Sequence, residues 1–138
     1  MSSASSDREA EALRWMEYAR EDLGAAETSA DETALAPRHR CMLAQQAAEK
    51  ALKAALIFLD TDPPRTHNLQ LLADLLPDGW ALRATSADVA RLSMWIVESR
   101  YPGDWPDASQ HDAAVAVADA RAVVEAAAAD LDRARGTR

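Results

Sequence analysis

The chain has 138 residues, a net charge of −8 and a single cysteine: one domain's worth of acidic protein, long enough to bury a core, and without the cysteines for a disulfide framework or a cysteine zinc site. The charge works against bulk nucleic acid and against an anionic membrane surface unless arginines gather locally. Alanine supplies much of the 49% hydrophobic content and favours helix, no alternating Val/Ile/Thr run offers a strand, and no apolar run approaches the about 20 residues needed to span a bilayer.

Residues 1–7, MSSASSD, are polar, lack the apolar stretch of a signal peptide, and are expected to be disordered. A single helical domain is expected over residues 8–135, in a cytoplasmic protein. The first helix is expected from Asp7 to Ala30, where Ala12, Met16, Ala19, Leu23, Ala26 and Ala30 recur at helical spacing. Pro37 opens a second helix, because proline fits the first turn, and the pattern carries it to Leu59. Its polar arc is narrow, confined to Gln46, Glu49, Lys50 and Lys53, so this helix should touch neighbours on several sides. Alanines dominate the rest and allow close approach; Gln45 falls on the apolar edge, where a buried amide would need partners.

Pro63-Pro64 stops that helix, and Thr66-His67-Asn68 supplies capping chemistry for a short one, Leu69 to Leu76, which Pro77-Asp78-Gly79 ends. A further helix is expected from Ser86 to Ser99, with Val89, Leu92 and Ile96 inward. Arg100 to Pro106 reads as a loop, with two prolines and a glycine. The last helix starts near Asp107 or Ser109 and runs to Arg133, with Ala113, Val117, Ala120, Val124, Ala127 and Leu131 on one stripe. The expected architecture is all-α: an up-and-down four-helix bundle with an additional short helix.

Three segments, in order, resemble the HEPN domain family: Gln45-Gln46-Ala47-Ala48-Glu49-Lys50-Ala51-Leu52-Lys53-Ala54, then Arg65-Thr66-His67-Asn68-Leu69, then Ser99-Arg100-Tyr101-Pro102. The first helix, with Trp15, Ala19, Asp22 and Leu23, is similar to that family's opening helix, and the resemblance extends from Trp15 to Leu131. It implies a helical bundle that forms a homodimer, often encoded beside a minimal nucleotidyltransferase as one half of a toxin–antitoxin-like pair. It also raises two alternatives, a metal-independent ribonuclease and non-catalytic nucleotide binding. The ribonuclease signature is an Arg followed about four to six residues later by a His, where Arg holds a phosphate and His moves the proton of the attacking 2′-hydroxyl. Here the histidine after Arg100 is His111, eleven positions on.

Each candidate side chain also has a structural reading. Arg100 and Tyr101 are phosphate contacts, or Arg100 caps a helix end. His111 carries a proton, or sits exposed in a first helical turn. His67 binds a ligand beside Arg65, or makes a capping hydrogen bond at the Pro-Pro hinge. Arg38 and Arg40, flanking His39, contact RNA or an acidic partner, or form a solvated face. Trp80, Trp95 and Trp105 stack bases, or are core or interface anchors, with Trp105 the best placed of the three for stacking. Glu49, Lys50 and Lys53 act in catalysis, or Glu49 and Lys53 form a favourable helix pair while Lys50 meets a partner. No metal site and no cofactor are expected, and the first expectation for function is a dimeric interaction module.

Overall fold

The computed structural model describes residues 3–28, 35–85, 87–98 and 107–136. They form α1 (Ser3–Thr28), α2 (Pro37–Phe58), α3 (Leu69–Asp74), α4 (Val89–Ser93), α5 (Trp95–Glu98) and α6 (Gln110–Gly136), with no strand among the described residues. The chain is all-helical, as its alanine-rich periodicity requires.

α2 is the centre. Thirteen of its 22 residues are buried, on faces that meet α1 on one side and α6 on another, with α3, α4 and α5 closing further edges. Ala44, Ala47, Ala48, Ala51, Ala54 and Ala55 are completely buried. Side chains this small let the flanking backbones come close, so the core is alanine-lined with Leu52, Leu56, Met16, Leu72, Leu82, Leu92 and Leu131 filling the gaps. α1 contributes Ala12, Met16, Ala19, Leu23 and Ala26, and α6 contributes Ala113, Ala116, Val117, Ala120, Val123, Val124, Ala127 and Leu131. These are the stripes the sequence spacing predicts.

The termination of α2 has a local cause ahead of the two prolines. Thr61 N–H donates to Leu56 O at 2.9 Å and Asp60 N–H to Ile57 O at 3.0 Å. With Asp60 at φ 59, this is a Schellman end whose left-handed position holds an aspartate instead of glycine. Further on, Gly79 at φ 90 takes the positive-φ turn position after Pro77-Asp78.

Caps explain the other boundaries. Asn68 Oδ1 accepts from Leu71 N–H at 3.2 Å to start α3, and Asp88 Oδ1 accepts from Arg91 N–H at 2.9 Å to start α4. At α6, Ser109 Oγ accepts from Asp112 N–H at 3.0 Å while Asp112 Oδ2 accepts from Ser109 N–H at 2.9 Å, a reciprocal capping box.

Two expectations are revised. α1 begins at Ser3, inside the segment expected to be disordered, and the helix expected over Ser86–Ser99 is two short helices separated at Met94. The break has a physical reason: Ser93 Oγ donates back to Val89 O at 2.8 Å and accepts from Leu69 N–H at 2.9 Å. A hydroxyl that competes for its own helix's carbonyl and ties to another element bends the helix. Three helices are therefore long among the described residues, and α3–α5 together pack where the sequence pattern predicts a fourth long one.

Candidate functional site

The family-like segment of α2 builds a buried polar cluster. Glu49 is 6% exposed, on the edge of α2 that faces the loop before α3. An unpaired carboxylate there would be costly, and it is paired three ways. Gln45 Nε2 donates to its Oε1 at 3.0 Å, the His67 Nδ1 lies 2.8 Å from the same oxygen, and Lys53 Nζ donates to Oε2 at 3.0 Å. Burial pushes the Glu49 carboxyl up, but the hydrogen bonds from Gln45, His67 and Lys53 together outweigh it and hold the group below the usual carboxylate range.

Gln45 is fully buried, and its amide closes the arrangement: Nε2 also reaches His67 O at 3.4 Å, and its Oε1 accepts from Gln46 Nε2 at 3.3 Å. The spacing of these residues follows from the helix: Gln45, Glu49 and Lys53 repeat every four residues and so stack on one face. Their joint effect is to fasten the segment before α3 to the middle of α2. His67 therefore does not cap α3, contrary to one reading of the sequence; Asn68 does that, and the half-exposed imidazole turns back to Glu49. On the other side of α2, Lys50 reaches Asp22 on α1 at 2.5 Å.

Two clefts flank this face. One, of about 480 Å³, is lined by residues that include Arg8, Trp15, Lys53, Pro63, Pro64 and Arg65. The other, of about 540 Å³, lies over Arg14, Trp15, Tyr18 and Lys50. Trp15 and Glu11 line both, so the clefts adjoin along α1. Acidic groups (Glu11, Asp60 and Asp62) stand opposite the cations of the first cleft, and Asp60 lies 3.6 Å from Arg8.

The remaining sequence candidates separate. Arg40 is only 5% exposed: its Nε donates to Ala26 O at 3.1 Å and its Nη1 to Gln110 Oε1 at 3.3 Å. It satisfies a carbonyl in the last turn of α1 and joins α1, α2 and α6, so it is turned away from any external phosphate. Arg38, two residues earlier, is exposed. Arg65 is exposed at the rim of the first cleft. His111 is exposed in the first turn of α6. Arg100, Tyr101 and Trp105 lie outside the described residues, and so does the pairing of Arg100 with His111. Trp80 and Trp95 are partly buried and pack against the core. Among the described residues no group of three or more His, Cys, Asp or Glu side chains is placed to hold a metal ion, and no helix is long and apolar enough to cross a membrane.

Sequence reasoning gives Asp130 no role. It is completely buried on α6 and accepts from the N–H groups of Ala81 and Leu82, each at 2.8 Å, with Arg133 Nη2 at 3.0 Å. It thereby satisfies two backbone donors of the turn after Trp80. The available signal is Asp130 preceding Leu131 on the buried stripe, at a position where a charge is expected only with partners.

An all-helical domain with a central alanine-rich helix, pinned through a Gln-Glu-Lys face to a Thr-His-Asn loop, defines the class. The chain belongs to the HEPN domain family, whose pattern it matches over residues 12–131. Among solved structures it is similar to TT1696 from Thermus thermophilus, with 24% identity, a TM-score of 0.73, and 86% of this chain and 97% of that one covered. It is also similar to ST0689, an archaeal HEPN homologue, with 24% identity, a TM-score of 0.67, and 87% and 97% covered. At this identity the two structures speak to the fold. No curated protein sequence matches the chain.

Proposed function

We propose that this HEPN-domain chain is a dimeric interaction module, one half of a two-component, toxin–antitoxin-like system whose other half is a minimal nucleotidyltransferase. The observation that supports this reading most is where the signature residues spend their chemistry. Gln45, Glu49, Lys53 and His67 bind one another, and, outside the signature, Arg40 binds backbone and Gln110. The α2 segment of the family-like pattern, together with His67, thus maintains a scaffold. What the scaffold offers outside is surface, including exposed Tyr18, Leu71, Leu75 and Met94.

Co-expression with the product of an adjacent nucleotidyltransferase gene tests the pairing. The two proteins should co-purify through an affinity tag on either one and elute together in size exclusion. Separate elution at micromolar concentration, or no such gene beside this one, would rule out the partner.

A further inference from the structure

The two clefts form one groove along α1, since Trp15 and Glu11 line both. Asp7, Glu11, Arg14 and Tyr18 follow one another at three- and four-residue spacing and so make a single stripe of the helix. From Asp7 to Tyr18 that stripe is roughly 16 Å long, at about 1.5 Å per residue. Trp15 packs partly against the core where the two halves of the groove meet, and Tyr18 is 46% exposed. Ile57, Pro63 and Pro64 add apolar wall to the first cleft. The groove is therefore elongated and aromatic, which suits an extended chain better than a compact ligand.

The charges that line it say what kind of chain fits. Most of its cations are already engaged: Lys53 with Glu49, Lys50 with Asp22, Arg8 with Asp60, and Arg14 with the Tyr18 hydroxyl. Its carboxylates are less so. Asp7, Glu11 and Asp62 are exposed and have no cation within ion-pair distance among the described residues, and only Arg65 is an open cation against them. A bound phosphate would face these three carboxylates. A lysine or arginine side chain would pair with them, and Trp15 and Tyr18 supply aromatic rings that attract cations. The overall charge of −8 draws a basic segment in from a distance. An extended peptide of about five residues covers the length of the stripe.

We infer that this groove takes a basic peptide segment of a protein partner, with cationic side chains at Asp7, Glu11 and Asp62 and apolar ones against Trp15. The inference rests on the module reading above and names the chemistry of the segment that docks. Fluorescence anisotropy with a labelled peptide of that length, alternating arginine and leucine, tests it. The peptide should bind the wild-type chain, and its glutamate–leucine counterpart should not. The Glu11→Gln/Asp62→Asn variant should weaken binding about 10-fold or more. Glu125→Gln/Asp132→Asn makes the same charge change at exposed positions of α6 that line neither cleft, and should leave binding within about 2-fold. No binding at millimolar peptide, or an equal loss in both variants, overturns the site. Spermine that binds the groove and that the peptide fails to displace makes the ligand a free polyamine and overturns the peptide. Should the groove variant lose its helical circular dichroism, the indole N–H resonance of Trp15, assigned with Trp15→Phe, decides: the peptide should shift it and leave those of Trp80 and Trp95 in place, and no shift overturns the site. Co-purification with the nucleotidyltransferase that the folded groove variant leaves undiminished overturns the groove and spares the pairing. Peptide binding without any co-purification overturns the pairing and spares the groove.

Discussion

Glu49 concentrates the physical chemistry of this domain in one side chain. It is nearly removed from water, yet its carboxyl is held below the ordinary range because the hydrogen bonds of Gln45, His67 and Lys53 favour the charged form more than burial disfavours it. A group whose pKa is lower folded than unfolded adds stability above its unfolded value and loses it as pH falls through the folded one. The Glu49→Gln variant should therefore be destabilised at pH 7, by roughly 1–3 kcal/mol, the scale for breaking a buried charged hydrogen bond. The gap to wild type should narrow in urea titrations as pH drops below about 4, the ordinary range of a free glutamate. A gap independent of pH would mean that the ionised form is not what the cluster stabilises. This centre is half legible in the sequence. The Glu49–Lys53 pair follows from helix spacing, and the place of Gln45 on an apolar edge signals an amide needing partners, but the contact with His67 spans a loop, and no periodicity reports that.

At the scale of elements, boundaries are legible where one residue type decides them and illegible where several compete. Pro37 opens α2 and Asn68 starts α3, as their chemistry dictates. The split between α4 and α5 is hidden because Val89, Leu92 and Ile96 keep helical spacing across it, while the cause is the Ser93 hydroxyl, bonded both to its own helix and to α3. The end of α2 offers a direct test. Asp60 occupies the left-handed position of a Schellman motif, where a β-carbon costs energy that glycine avoids. Asp60→Gly should raise stability by about 0.5–1 kcal/mol, less whatever its exposed pairing with Arg8 contributes, visible as a higher melting temperature. A lower melting temperature would show that the Arg8–Asp60 pair outweighs the strain relieved. For the candidate site, the sequence singles out cations without showing which way they turn. Arg40 and Arg38 read alike as members of one basic cluster, yet tertiary packing sends Arg40 inward to the end of α1 and leaves Arg38 in water.

For the whole molecule, membership in the HEPN domain family and the alanine-lined three-helix centre establish a scaffold, with α3–α5 as its outer edge. Gln45, Glu49, Lys53 and His67 are engaged in holding that scaffold together, and, among the described residues, the large exposed apolar side chains lie mostly at the α3–α5 edge. The proposed role as an interaction module requires that the chain not remain alone in solution. The most direct measurement is the mass of the purified protein by multi-angle light scattering at micromolar concentration and physiological salt. The expected value is twice the 15.0 kDa of a single chain. A mass of one chain, unchanged as the concentration rises, would contradict the dimeric module.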